Sequence, residues 1–96
     1  MNRLLTWTEI ETYLLDEMQA HPESDGSYLL ETAHDRLFGA YCERGRHTAI
    51  FIPVVSDLLH YPSVVLSIPT TKDALRAALA ASAAMADAMP TDDQVH

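Results

Sequence analysis

The chain has 96 residues, 48% hydrophobic and 21% charged, a balance that fits one small folded domain and excludes a disordered segment. Its single cysteine excludes an internal disulfide. The formal net charge of −8 argues against direct contact with DNA, RNA or an anionic membrane, because phosphate contacts need lysine and arginine.

That charge is unevenly placed. No lysine or arginine stands between Arg3 and Arg36, whereas Glu9, Glu11, Asp16, Glu17, Glu23, Asp25, Glu31 and Asp35 all fall in that interval. The rest of the chain carries six acids against six bases, so the whole excess belongs to the first third. No apolar run near the N-terminus is long enough for a signal-peptide core, and none elsewhere reaches the length of a membrane span. Together with the lone cysteine, this predicts a cytoplasmic protein.

The stretch "TWTEIETYLLDEMQAH" predicts a first helix. Thr6 with Glu9, or Thr8 with Glu11, has the spacing of a capping box, in which hydroxyl and carboxylate satisfy each other's backbone N–H. Trp7, Ile10, Leu14 and Met18 recur at helical spacing and form one apolar arc. On the opposite side, Tyr13 is expected to stand exposed among Glu9, Asp16 and Glu17, with no basic residue one turn away to neutralise them. Pro22 and Gly26 end the helix in a turn, where Glu23 and Asp25 would extend the acidic patch.

From Tyr28 the pattern becomes β. "SYLLETA", "LFGAYCE", "RHTAIFIPVV" and "VVLSIP" are strand candidates, with a turn at "ERGR" and a longer connection at "SDLLHYPS". An unbulged turn at Arg44-Gly45 would set Cys42 across from His47. Phe38, Ala40, Ala49 and Phe51 would then share one face, and Leu37, Tyr41, Ile50, Ile52 and Val54 the other. Both faces are apolar, so burial of one by a second copy is expected, with Phe38 and Phe51 at that dimer or second interface.

"TTKDALRAALAASAAMADAM" predicts the last helix, capped by Thr70 or Thr71, with Leu75, Ala78, Leu79, Ser82, Met85 and Met89 on one face. Nine alanines between Ala74 and Ala88 favour helix and allow close approach to a neighbouring element. Pro90 ends it. The expected architecture is α+β: a small antiparallel sheet of about three or four strands flanked by an N-terminal and a C-terminal helix. Residues 1–90 would form one domain, followed by a flexible tail at 91–96.

Candidate chemistry is sparse. Cys42 beside His47, oriented by Asp35 or Asp57, has the composition of a nucleophile with its base, yet no oxyanion loop accompanies it, and a free cysteine is commonly a small buried hydrophobe. His21, His34, His47 and His60 recur thirteen apart, far wider than the spacing of a zinc site, and are expected as single side chains. Three scattered glycines build no phosphate loop. The sequence thus predicts no catalysis, no cofactor and no metal.

The leading expectation is a small acidic non-catalytic binding protein, an inhibitor of the phage-encoded or antitoxin type. By nucleic-acid mimicry it would occlude a basic surface of a nucleic-acid-handling protein, with Glu9, Tyr13, Asp16, Glu17, Glu23 and Asp25 in contact. The alternative is an acidic dimeric adaptor or chaperone that holds a partner chain on an apolar sheet face. A small cysteine-dependent enzyme stands third.

Overall fold

Hydrophobic alternation in the middle of the chain sets the frame on which everything else is mounted. The structure, a computed structural model, describes residues 3–54 and 63–88. In chain order the elements are β1 (Leu4–Leu5), α1 (Trp7–Thr12) running into a π-helical turn (Tyr13–Glu17), β2 (His21–Pro22) and β3 (Tyr28–Glu31). Then come β4 (Leu37–Glu43), β5 (Thr48–Pro53), β6 (Val64–Ser67), β7 (Thr70–Thr71) and α2 (Lys72–Ala88). Strands β2 to β6 form one antiparallel five-stranded meander in that spatial order, and β1 pairs with β7 in a separate two-stranded ladder. The fold is therefore α+β with its helices at the two ends of the sequence, as expected. The extra strands are β1, β2 and β7, each two residues long and too short to leave any alternation in the sequence.

The β4–β5 register differs from the expected one. Cys42 lies opposite Ala49, not His47, and Glu43 opposite Thr48. The connection takes up four residues: a 3₁₀ turn at Arg44–Arg46, then His47 in the left-handed region at φ 53°. This moves the pairing by two residues. Because side chains alternate with a period of two, both faces keep their members, whereas a slip of one would have exchanged them.

Face composition then decides where the core lies. Leu30, Phe38, Ala40, Ala49 and Phe51 point inward and form one cluster with Ile10 and Leu14 of the first helix and Leu75, Ala78 and Leu79 of α2. Phe38 and Phe51, expected at a second interface, are core residues at 1% and 0% exposure. The helices already cover their face, and burying each contributes about 2–3 kcal/mol. Ala40 and Ala49 on the sheet and Ala78 on α2 belong to the same cluster, and their small size leaves room for close layer packing.

Local chemistry ends the helices where they end. Thr6 Oγ1 accepts from the Glu9 N–H at 3.2 Å and Glu9 Oε1 accepts from the Thr6 N–H at 3.0 Å, a complete capping box. At the far end Met18 N–H reaches Tyr13 C=O, Gln19 turns left-handed at φ 54°, and Ala20 N–H returns to Leu14 C=O at 2.8 Å. In α2, Thr71 Oγ1 accepts from the Ala74 N–H. Residues 55–62 and 89–96 lie outside the described set, and with them all of the "SDLLHYPS" connection except Ser63, including Asp57 and His60, as well as Met89 and the expected tail.

Candidate binding surfaces

The first helix brings its acidic residues together but not in the state expected. Arg3 pairs with Glu9, Arg44 with Glu11, and Lys72 with Glu17 at 3.6 Å. The Arg3 guanidinium, helped by the Thr6 N–H, holds the Glu9 carboxyl at a pKa of about 2. Tyr13 is half-buried and packs against the core rather than standing free. Lys72 Nζ sits 5.6 Å from the centre of its ring, and Arg76 Nε donates to its hydroxyl at 3.4 Å. The reason is tertiary. The start of α2 crosses this face and delivers the only two cations of the last helix onto it, which the periodicity of the first helix alone does not reveal.

Of the loop acids, Asp25 closes its own turn. Its Oδ1 accepts from the Ser27 N–H at 2.9 Å and from the Ser27 hydroxyl at 2.6 Å, and these two bonds hold its pKa below the ordinary carboxylate value. Gly26, at φ 88°, supplies the positive φ this turn requires. Asp16 and Glu23 have no ion pair among the described residues. Glu9, Tyr13, Asp16 and Glu17 do share one feature: they line a cleft of about 320 Å³ between the first helix and the start of α2, with Arg3 and Lys72 also in its wall. Glu23 and Asp25 are not part of that lining.

Cys42 is half-buried on the inward side of β4. Burial, followed by the nearby Glu11 carboxylate, pushes its thiol pKa up, the direction opposite to an activated nucleophile. His47 belongs to the turn, not to the strand opposite. Glu11 instead ties this corner together: it accepts from the Tyr28 hydroxyl at 3.0 Å and from Arg44, whose guanidinium lies 5.8 Å from the centre of the Trp7 ring. Among the described residues, no three His, Cys, Asp or Glu side chains gather closely enough to share a metal ion. No helix among them is long and apolar enough to cross a membrane.

The outward face of the sheet is the open surface. An antiparallel sheet with one wet face normally alternates apolar-in and polar-out. Here Leu37, Tyr41, Ile50, Ile52, Val65 and, on β3, Leu29 all point outward by alternation. Leu37 and Tyr41 are each 39% exposed and Val65 is 59% exposed. Tyr41 leans over Gly39, where an added Cβ would stand 3.1 Å from the ring, so the glycine makes room for the aromatic side chain on the open face. Glu31 and Glu43 lie on the same side at the ends of β3 and β4, and Glu43 is paired with Arg46 at 3.7 Å, which leaves Glu31 as the acid at the margin of the apolar surface. Leu37, Tyr41, Ile50, Ile52 and Val54 were legible in the sequence as one face. Leu29 and Val65 were missed, although each sits at the alternate position of a strand that the sequence did predict.

Comparison of the chain with known protein families, with curated proteins and with solved structures finds no match. The functional reading therefore rests on the surfaces just described.

Proposed function

We propose that this protein is a small, acidic, non-catalytic adaptor or chaperone-type binding module that holds a partner chain on the outward face of its sheet. The observation that carries the reading is the exposure of Leu37, Tyr41 and Val65 on a face where a solvated sheet would carry polar side chains. Charge selects the partner: with Glu31 at the margin and −8 on the whole chain, the complementary segment presents apolar side chains flanked by lysine or arginine. A second copy laid face to face on this surface would bring like charges together. The raised pKa of Cys42 supports a role without covalent catalysis. The single cysteine favours a cytoplasmic setting.

The test is capture of the partner from the native host with wild-type and variant protein. The Leu37→Ser/Tyr41→Ser double variant is expected to weaken binding by about tenfold or more, since truncation at an interface centre typically costs about 1–2 kcal/mol or more. Asp16→Lys is expected to leave binding unchanged.

The opposite pattern, loss with Asp16→Lys and retention with the sheet variant, would favour a second reading. There a basic side chain of a nucleic-acid-handling partner enters the cleft beside Asp16, and the protein acts as an inhibitor by nucleic-acid mimicry. What supports that reading is Asp16, which lines the cleft without an ion pair among the described residues. Neutralisation of Glu9 and Glu17 within the same cleft weakens it.

A further inference from the structure

We infer that the edge of β6 facing away from β5, unpaired among the described residues, pairs with the same edge of a second copy of this chain, joining two five-stranded sheets into one continuous sheet. The hydrogen-bond phase of the β5–β6 ladder shows which groups are available. Ile68 N–H donates to His47 C=O at 2.8 Å, and residues 47 and 68 continue the register that sets Thr48 against Ser67. In an antiparallel ladder, hydrogen-bonded pairs alternate with non-bonded ones. Leu66 and Val64 therefore exchange bonds with Ala49 and Phe51. Val65 and Ser67 turn their N–H and C=O groups away from β5, toward the edge.

The two edges of the sheet are treated differently by the sequence. At β2 the strand is two residues long, contains Pro22, which has no N–H to offer, and runs straight into Glu23 and Asp25. These are the usual devices against strand pairing. At β6 they are lacking: Val64–Ser67 is four residues long and carries neither proline nor charge. Its Val65 is the most exposed large hydrophobic residue among those described.

Charge placement names a second copy as the occupant. Of the acids in the first third of the chain, Glu9, Glu11 and Glu17 are paired with Arg3, Arg44 and Lys72, and the β2 edge, which runs into Glu23 and Asp25, is four strands away from β6. At ~4.8 Å per strand that edge is about 19 Å from the seam. It is thus well beyond the screening length of ~8 Å at physiological salt. Two copies can meet at β6 with their acidic edges at opposite ends of the joined sheet. Twofold antiparallel pairing also sets only Val65 and Ser67 against the same residue types, so no like charges face each other. This pairing uses the edge and leaves the outward faces free and contiguous, so it holds whether or not those faces bind a partner.

The experiment is sedimentation equilibrium of the full chain together with site-resolved amide hydrogen exchange. Wild type is expected to show twice the mass of one chain, with the Val65 and Ser67 amides becoming protected as dimer accumulates. Val65→Pro removes an edge N–H without touching the β5 ladder and keeps the outward surface apolar. It is expected to halve the mass with an unchanged circular-dichroism spectrum. Val65→Thr retains the N–H and is expected to remain dimeric. A wild-type chain that stays monomeric at every concentration would overturn the inference. So would a dimer in which the Val65 and Ser67 amides exchange freely, a result that does not depend on how any variant folds.

Discussion

Ser82 shows how a single side chain can be correctly placed and still be at odds with its surroundings. It lies on the buried stripe of α2 with Leu75, Ala78, Leu79 and Ala86, at 0% exposure, and its hydroxyl has no hydrogen-bond partner among the described residues. An enclosed hydroxyl with no partner costs about 1–3 kcal/mol of desolvation, while the packing around it is that of an alanine with one extra atom. Ser82→Ala is therefore expected to raise stability by about 1 kcal/mol, read as an upward shift of the urea midpoint with an unchanged slope. The sequence places Ser82 on the inward face but says nothing of its partners. Tyr13 shows the converse. Its position on the acidic side of the first helix was legible from spacing. Its half-burial was not, because the side chains that cover it, Lys72 and Arg76, lie about sixty residues away in sequence. Of the two capping boxes the spacing allows, Thr6 with Glu9 is the one that forms, and the pairing of Glu9 with Arg3 adds a constraint from outside the helix.

At the scale of elements, the first helix carries a strained exit. Regular α-helical bonding gives way to a π-helical turn at Tyr13–Glu17, and Gln19 sits at φ 54° so that Ala20 can turn back to Leu14. Glycine is the residue that suits such a left-handed exit, since a Cβ makes the conformation costly. Gln19→Gly is expected to stabilise the protein by about 1 kcal/mol, and Gln19→Ala to leave it nearly unchanged, both measured by thermal unfolding. This penalty could not be seen in the sequence. The stretch after Met18 contains no glycine until Gly26, and the expected stop signals, Pro22 and Gly26, lie beyond the true end of the helix.

Strand reading succeeded where alternation ran long, as in β4 and β5, and failed for β1, β2 and β7, whose two residues have no period to detect. The hairpin is instructive because its turn was misjudged and its faces were not. A 3₁₀ turn with His47 left-handed displaced the partner of Cys42 by two residues, and an even displacement preserves which side chains point inward.

For the whole molecule, two properties read from the sequence separate in the structure. The acidic excess was legible as a feature of the first third, and pairing with Arg3, Arg44 and Lys72 then divides it into local contacts, leaving less uncompensated charge on the first helix. The surplus of apolar side chains was legible as a sheet with two greasy faces. Both helices contribute to the core on the side of Phe38 and Phe51, which leaves the other side, with Tyr41 and Val65, open. Which face the helices would take was not decidable from alternation, since both faces read alike. The central claim is that the open face is where the protein meets its partner. Hydroxyl-radical footprinting of the chain alone and in the captured complex tests it most directly: labelling of Leu37, Tyr41 and Val65 is predicted to fall on complex formation, with Tyr13 and Met18 unchanged. Protection of Tyr13 and the adjoining cleft, with Tyr41 labelled as strongly as in the free chain, would contradict it.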